Sequence, residues 1–352
     1  MTNRTHIADF IVAWNRGQSQ KYSSPGAQLE REKYLGKHPT RIIKTLCMDG
    51  RINLATMTQT PPGIMYPFRT MGGKFDMGYP YYSEVVHDLV QDAVHHGHDV
   101  LKLCTYHFSE GDNPHRGCKG MAYDIDLGRT SALDLKRQVE YIYGKGTVYP
   151  IVIGIETDSD ALIFHNGGEH VLDLRMCAGF SEAALRRELE RLYPEMSERV
   201  LNDLLPFAVG NLKHIEDVKG RTPIEMGHLE QVICVGRGYG WLHLPNVAFI
   251  IGPFSEDWPA EIAAAGGMIR KNMDEWKRTG RKPEHEGVAV LCSSAYFERN
   301  IESLRAETRA RYFARVATEV LRAHVPGLRF KLIIAATDMQ TQLLDMFDQS
   351  EF

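Results

Sequence analysis

Residues 41–51 read Arg-Ile-Ile-Lys-Thr-Leu-Cys-Met-Asp-Gly-Arg (RIIKTLCMDGR). The short apolar, β-branched run 41–48 predicts a buried strand, with Cys47 at its C-terminal end and a polar turn after it. Outward from it, strands and helices alternate. Residues 63–69 predict a second strand, followed by the glycine turn 71–73. Residues 81–96 place Val85, Val86, Leu89, Val90, Ala93 and Val94 at helical spacing and stop at Gly97, as a helix C-terminus should. Residues 99–107 predict a third strand, 131–143 a helix, and 148–156 with 161–165 a hairpin. Such alternation predicts an α/β fold, a mostly parallel central sheet flanked by helices.

Before this block, residues 1–40 predict an amphipathic helix (Ile7, Phe10, Ile11, Trp14), a Ser-Pro-Gly break and a short charged helix, read as an arm. After it, 181–220 is helical and charged. The order of elements then starts again: strand 230–235, a Gly-rich turn, strand 246–251, helix 259–277, strand 287–292, helix 298–324, strand 329–335. Two local echoes support an internal duplication. TLCMDGR (45–51) faces VICVGRG (232–238), and KLCTYHFSE (102–110) faces VLCSSAYFE (290–298).

Composition narrows the function. The 352 residues suffice for two domains of ordinary size. A net charge of −4 gives no electrostatic reason to expect nucleic acid or an acidic membrane as partner. Residues 1–17 carry charges where a signal peptide needs an apolar core, and no apolar run is long enough to span a bilayer. Six cysteines scattered over a chain of this size are not a disulfide framework, so a reduced, cytoplasmic setting is expected.

Chemistry concentrates where the first and third strands end. In parallel α/β sheets that edge is where sites form. A cysteine there becomes a strong metal ligand as thiolate. Asp49 could take a hydrogen bond from a metal-bound water or compete for the metal, and Arg51 offers a fork to orient it. The third strand leads into His107-Phe-Ser-Glu-Gly-Asp-Asn-Pro-His115-Arg-Gly-Cys118. Catalytic zinc takes three protein ligands plus water, and Cys47, one histidine and Cys118 supply three. Taken singly these residues have blander readings: buried thiols for Cys47 and Cys118, a structural ion pair for Asp49–Arg51. Cys104, Cys177, Cys234 and Cys292 read as core, and His95, His96 and His98 as a solvated helix end. The loop Gly236-Arg-Gly238-Tyr-Gly240 lacks the spacing of a dinucleotide fingerprint, since Trp241 takes the third glycine's place.

Together, C-x-D-x-R at 47–51, R-T-x-G-G at 69–73 and the His…Cys pair after the third strand resemble the β-class carbonic anhydrases over residues 41–170. The ten residues between His107 and Cys118 resemble the carboxysome-shell branch, in which an active domain is fused to a degenerate copy; His115 keeps the commoner short spacing and stays the alternative ligand. The resemblance implies a single-chain pseudo-dimer: a helical arm over 1–40, a zinc-bearing catalytic domain over 41–175 and a degenerate copy without a metal site over 176–352. It implies Zn2+ on Cys47, His107 and Cys118, Asp49 and Arg51 as catalytic residues, and Gly72 and Gly73 beside the substrate. The implied reaction is reversible hydration of CO2 to bicarbonate. Carbonyl sulfide or carbon disulfide as substrate, or a silent zinc-bearing scaffold, are the competing functions. A proton shuttle is needed, for which His87, His95, His96 and His98 are candidates by sequence proximity alone. Homo-oligomerisation stays open. Carboxysome association follows from the resemblance, against which stands the lack of a large extra N-terminal domain.

Overall fold

The structure, a computed structural model, describes residues 4–168, 170–222, 227–244 and 246–352. In chain order the elements are α1 (Ile7–Tyr22), α2 (Pro25–Lys37), β1 (Arg41–Cys47), α3 (Leu54–Met57), β2 (Met65–Thr70), α4 (Pro80–His95), β3 (Val100–Phe108), α5 (Asn113–Arg116), α6 (Ile125–Tyr143), β4 (Val148–Glu156), β5 (Ala161–His165), β6 (Val171–Asp173), α7 (Glu182–Leu192), α8 (Glu198–Asp217), β7 (Val232–Gly236), β8 (Ala248–Ile251), α9 (Trp258–Thr279), β9 (Ala289–Tyr296), α10 (Ile301–His324), β10 (Lys331–Asp338) and β11 (Leu344–Glu351). The chain divides into two compact units: a first, Leu29–Gly227, and a second, Met1–Gln28 with His228–Phe352.

In the first unit the strand order is β2-β1-β3-β4-β5-β6. β1 lies parallel to β2 and β3, β3 parallel to β4, and β5 turns back antiparallel on β4. β1 is buried at every residue but its first and β3 throughout, as a parallel sheet covered on both faces requires. That is why both read as mainly apolar runs, broken by Lys44 and Lys102, rather than alternating ones. α6 begins six residues before the expected start at 131, because the Asp124 side chain accepts from the Leu127 N–H and caps it there.

In the second unit the order is β11-β10-β9-β7-β8. Read from the other edge, β8-β7-β9-β10-β11 repeats β2-β1-β3-β4-β5 in order and in direction, including the antiparallel last pair. α9 and α10 fill the connections that α4 and α6 fill in the first unit. The duplicated α/β architecture is therefore present as topology. The two sequence echoes do not share one register, however. Thr45 lies beside Cys104, whereas its counterpart Val232 lies beside Ala289, three residues short of Cys292. Apolar strand ends resemble one another wherever they are cut, so repetition of strand order carries the duplication and the echoes do not.

The compact units differ from the boundaries expected at 40/41 and 175/176. Residues 29–40 join the first unit, where the Asp203 carboxylate of α8 accepts from Thr40 N–H at 2.9 Å and faces His38 Nδ1 at 3.1 Å. α8 is tied to that unit through the Asn211 side chain, which accepts from Leu162 N–H and donates to the Met57 and Asp160 carbonyls. Gly210 lets its backbone approach Thr58, whose carbonyl oxygen would sit 2.0 Å from any Cβ there. α1 is not a separate arm: Ile7, Ala8 and Ile11 enter the second unit's core with Val232, Cys234, Leu291 and Ile333. An apolar stripe says that a helix packs on something, not on what. Among the described residues no helix is long and apolar enough to cross a membrane.

Candidate metal centre

Three points far apart in the chain converge at the C-terminal edge of the first unit's sheet. Cys47 ends β1, His107 is the penultimate residue of β3, and Cys118 opens the short turn before α6. One ligand atom from each lies within 4.8 Å of the others, and all three residues are buried. Around a tetrahedral zinc with bonds of roughly 2.3 Å to sulfur, ligand atoms stand about 3.8 Å apart, so the group needs little adjustment to share one ion. His115, the alternative ligand, is placed elsewhere: its side chain is 77% exposed and bonds Asp112 Oδ1 at 2.8 Å.

Both ring nitrogens of His107 are buried, and neither makes a hydrogen bond. Burying an imidazole with neither nitrogen hydrogen-bonded is costly. A cation held with the two sulfurs would satisfy one nitrogen, so the residues present fit a metal by chemistry as well as by spacing.

The sulfurs interact with each other. The hydrogen bond with Cys118, then burial, pushes the Cys47 thiol well above the ordinary range. The same bond, helped by the backbone N–H groups of Met121 and Gly120, pulls Cys118 below it. Without metal the shared proton therefore sits more firmly on Cys47 than on Cys118. A divalent cation would displace that proton. None of the six cysteines is in a disulfide. Cys104, Cys177, Cys234 and Cys292 are buried in packing positions, and burial raises Cys104 to about 11.

Glycine brings the ligand-bearing loops together. Gly72 (φ +80) donates its N–H to Cys47 Sγ at 3.3 Å, and its backbone touches that of Gly120; a Cβ on Gly120 would lie 2.4 Å from Gly72 N. Gly73 (φ +67) sits against the Cys47 N and the Thr105 carbonyl. Only glycine adopts such angles at no steric cost. The Arg69 guanidinium braces the turn after β1, donating to the carbonyls of Cys47 at 2.7 Å, Asp49 at 3.2 Å and Ile52.

Asp49 and Arg51 form a buried pair beside the ligands. Arg51 Nη2 meets Asp49 Oδ2 at 2.5 Å, Nε meets Oδ1 at 3.0 Å, and the Arg51 N–H donates to Oδ1 at 2.9 Å. Arg51 Nη2 also donates to the Arg116 carbonyl at 2.7 Å. Asp49 Oδ2 stands 4.0 Å from His107 Nε2, so the carboxylate faces the ligand set.

The shuttle candidates fare differently. His95, His96 and His98 lie at or just beyond the C-terminus of α4, before β3 begins. At about 3.3 Å per residue, the length of β3 puts roughly 25 Å between that end and the ligands. His96 instead bonds the Asp92 carbonyl at 2.8 Å, and His87 stacks on Tyr143 within α4's packing. In the second unit the Gly236–Gly240 loop is a packed turn. The Tyr239 hydroxyl lies against the carbonyls of Val235 and Leu291, and Gly238 fits against Thr337. Among the described residues no group of three possible metal ligands lies within that unit.

Sequence reasoning passed over Arg69 as a brace, Gly120 as the partner of Gly72, and the Arg116 carbonyl. The first two were visible as an arginine three residues before a glycine pair and as the Cys-x-Gly at 118–120. The third, a backbone acceptor, leaves no mark in sequence.

Comparison with known proteins supports the reading at family level. Residues 82–214 match the model of the carboxysome shell carbonic anhydrase catalytic domain; the match includes His107 and Cys118 and begins beyond Cys47. The chain is 28% identical to the carboxysome shell carbonic anhydrase of Parasynechococcus marenigrum (strain WH8102), over 42% of this chain and 30% of that protein. It is 31% identical to the protein of the same name from Prochlorococcus marinus (strain MIT 9313), over 42% of this chain and 34% of that one. The one from Halothiobacillus neapolitanus is 23% identical, over 42% and 36%. The chain thus spans about a third of the length of the curated relatives it matches, and it is similar to carboxysome shell carbonic anhydrases.

Proposed function

We propose that the first unit catalyses the reversible hydration of CO2 to bicarbonate, using a zinc ion held by Cys47, His107 and Cys118. The observation that carries this is the convergence of two thiols and a buried imidazole lacking any hydrogen bond at the sheet edge, two of the three residues, His107 and Cys118, lying within the stretch that the family model matches. When bound, zinc supplies a Lewis acid that lowers the pKa of a coordinated water from 15.7 to about 7.

The chain's own residues do the rest. Gly72 N–H and the Cys47–Cys118 contact fix both sulfurs before any ion arrives. Asp49 accepts a hydrogen bond from the reacting water and takes up its proton, and Arg51 fixes the carboxylate's direction from three sides. Burial of Asp49, Arg51 and His107 keeps bulk water from competing for these contacts. Gly72 and Gly73, packed beside Cys47, mark the side of the centre on which we place the substrate. A carboxysome shell, which the relatives' names carry, is the compartment to examine for this chain.

Zinc stoichiometry and stopped-flow CO2 hydration test the reading together. About one zinc per chain is expected, with Cys47→Ala, Cys118→Ala and His107→Ala each losing it and His115→Ala keeping it. Protein purified under reducing conditions without metal, or zinc retained in His107→Ala, overturns the assignment. Hydration absent from the zinc-loaded protein leaves a scaffold.

A further inference from the structure

The ten residues between His107 and Cys118 form a loop that must deliver a ligand to within bonding distance of two others. A loop of that length has many conformations to lose, so something must hold it. We infer that Asp158, in the turn between β4 and β5, is the positioning residue for Cys118 and for the Asp49–Arg51 pair. The inference rests on the metal reading above.

One carboxylate oxygen carries the argument. Asp158 Oδ2 accepts from Ser109 Oγ at 2.8 Å, from Gly111 N–H at 2.9 Å and from Arg116 Nη2 at 3.2 Å. The three donors lie at the beginning, near-beginning and end of the loop, so a single acceptor draws its two ends together. Glycine at position 111 leaves room for both side-chain ends, since a Cβ there would meet Asp158 Oδ2 at 3.0 Å and Arg116 Nη2 at 2.9 Å. The Ser109 hydroxyl is used twice, since its Oγ also accepts from Asp112 N–H at 3.0 Å. The base is itself anchored. Asp158 N–H donates to Glu156 Oε1 at 3.0 Å, and Glu110 N–H donates to that same oxygen at 3.1 Å.

The path to the metal centre is short. With its guanidinium on Asp158, Arg116 presents its own carbonyl to Arg51 Nη2 at 2.7 Å, and Cys118 follows two residues later. Asp158 touches neither the ligands nor Asp49. It acts through Arg116, and an ion pair in which both side chains are mostly buried holds its geometry better than an exposed one.

The test is zinc affinity by competition with a chromophoric chelator, measured on Asp158→Ala, Asp158→Asn, Arg116→Ala and the double variant Asp158→Ala/Arg116→Ala. Loss of an outer contact that orients ligands weakens metal binding about 10–100-fold, and that is the expectation for Asp158→Ala. Asp158→Asn keeps an acceptor oxygen and recovers most of the affinity. The double variant binds no more weakly than the worse single one, because the two side chains act as one link; a general destabilisation would add instead. The cobalt(II)-loaded Asp158→Ala protein shows an altered thiolate-to-metal absorption band. Should Asp158→Ala fail to fold, Ser109→Ala and Arg116→Ala, each removing one donor, carry the same expectation in smaller measure. Wild-type affinity in Asp158→Ala, or in both substitutes, overturns the inference and leaves the proposed function standing. A wild-type protein that takes up no zinc ends both.

Discussion

Replacing Lys102 by Met tests whether the site-bearing sheet tolerates a charge at its centre. Lys102 lies in β3 between Ile43 and Pro150 of the neighbouring strands, is 1% exposed, and its Nζ has no hydrogen-bond partner. The faces of Phe68 and Tyr82, each 5.5 Å away, are the compensation the structure shows. Burial pulls its pKa down to about 8, against a weak upward pull from Cys104. An unfolded lysine titrates near 10.4, so the difference of about 2.4 units, at about 1.36 kcal/mol each, is about 3 kcal/mol. The sign follows from proton binding. Below pH 8 both folded and unfolded chains hold the proton, and the full cost of the buried ammonium is present. Between pH 8 and 10.4 the folded chain has released it while the unfolded chain has not, so stability rises; above 10.4 the cost is gone. Met fills the same stem volume without the charge. Lys102→Met is therefore expected to raise stability at pH 7 by about 2–3 kcal/mol, or roughly 4–12 °C for a unit of this size, and by little at pH 10.5. Thermal unfolding followed by circular dichroism at both pH values reads the effect. A gain that does not change with pH, or a loss at pH 7, would refute the reasoning and mean that the ammonium has a compensating partner.

Three further changes separate chemistry from architecture. Asp49→Ala should keep zinc, read by elemental analysis, and lose about 10²–10⁴ in CO2 hydration rate, since only proton handling and water orientation depend on it. Gly120→Ala forces a Cβ to within 2.4 Å of Gly72 N; it should cost about 1–3 kcal/mol in denaturant unfolding and lower zinc content, because the Gly72–Gly120 contact joins the loops of Cys47 and Cys118. Tyr239→Phe strips a hydroxyl from two buried carbonyls of the second unit, costing about 1–3 kcal/mol; zinc content and hydration rate should not change.

Much of the sheet was legible because both faces of β1 and β3 are covered, which writes an apolar run into the sequence that needs no neighbour to interpret. β11 was not legible. It is an edge strand reading LDMFDQSE with mixed exposure, and its pairing with β10 is satisfied by backbone alone. The ligand residues stood out because Cys, His and Asp at strand ends are an unusual set. What sequence could not choose was between His107 and His115, since the two differ in where the chain turns after β3. The structure places one within a group of possible metal ligands and the other in solvent, and Ser109, Gly111 and Arg116 each bond Asp158 within that long connection. The compact units divide the chain elsewhere than the expected boundaries for a different reason: α1 and α8 are assigned by contacts with residues hundreds or tens of positions away, which amphipathicity does not encode.

The two units share one strand order, yet a possible ligand set is found in the first, which shows that the architecture supplies an edge and not a chemistry. In the first unit the end of β1 carries a sulfur, and the two loops beside it touch through glycine backbones, so side chains with lone pairs are left facing one another. In the second, the chain after β7 folds back: Gly236 (φ +112) presses on the Ser293 carbonyl, Gly238 on Thr337, and Tyr239 lies against two strand carbonyls. These three residues are spent on packing the edge itself. A cysteine and a histidine grafted onto the ends of β7 and β9 are therefore expected to bind no metal by elemental analysis, because the turn after β7 lies packed on the strand ends. For the first unit the converse holds. Its candidate site includes connections that keep two loops in place, Arg69 under the turn after β1 and Asp158 under the loop after β3, as well as the three possible ligands they carry.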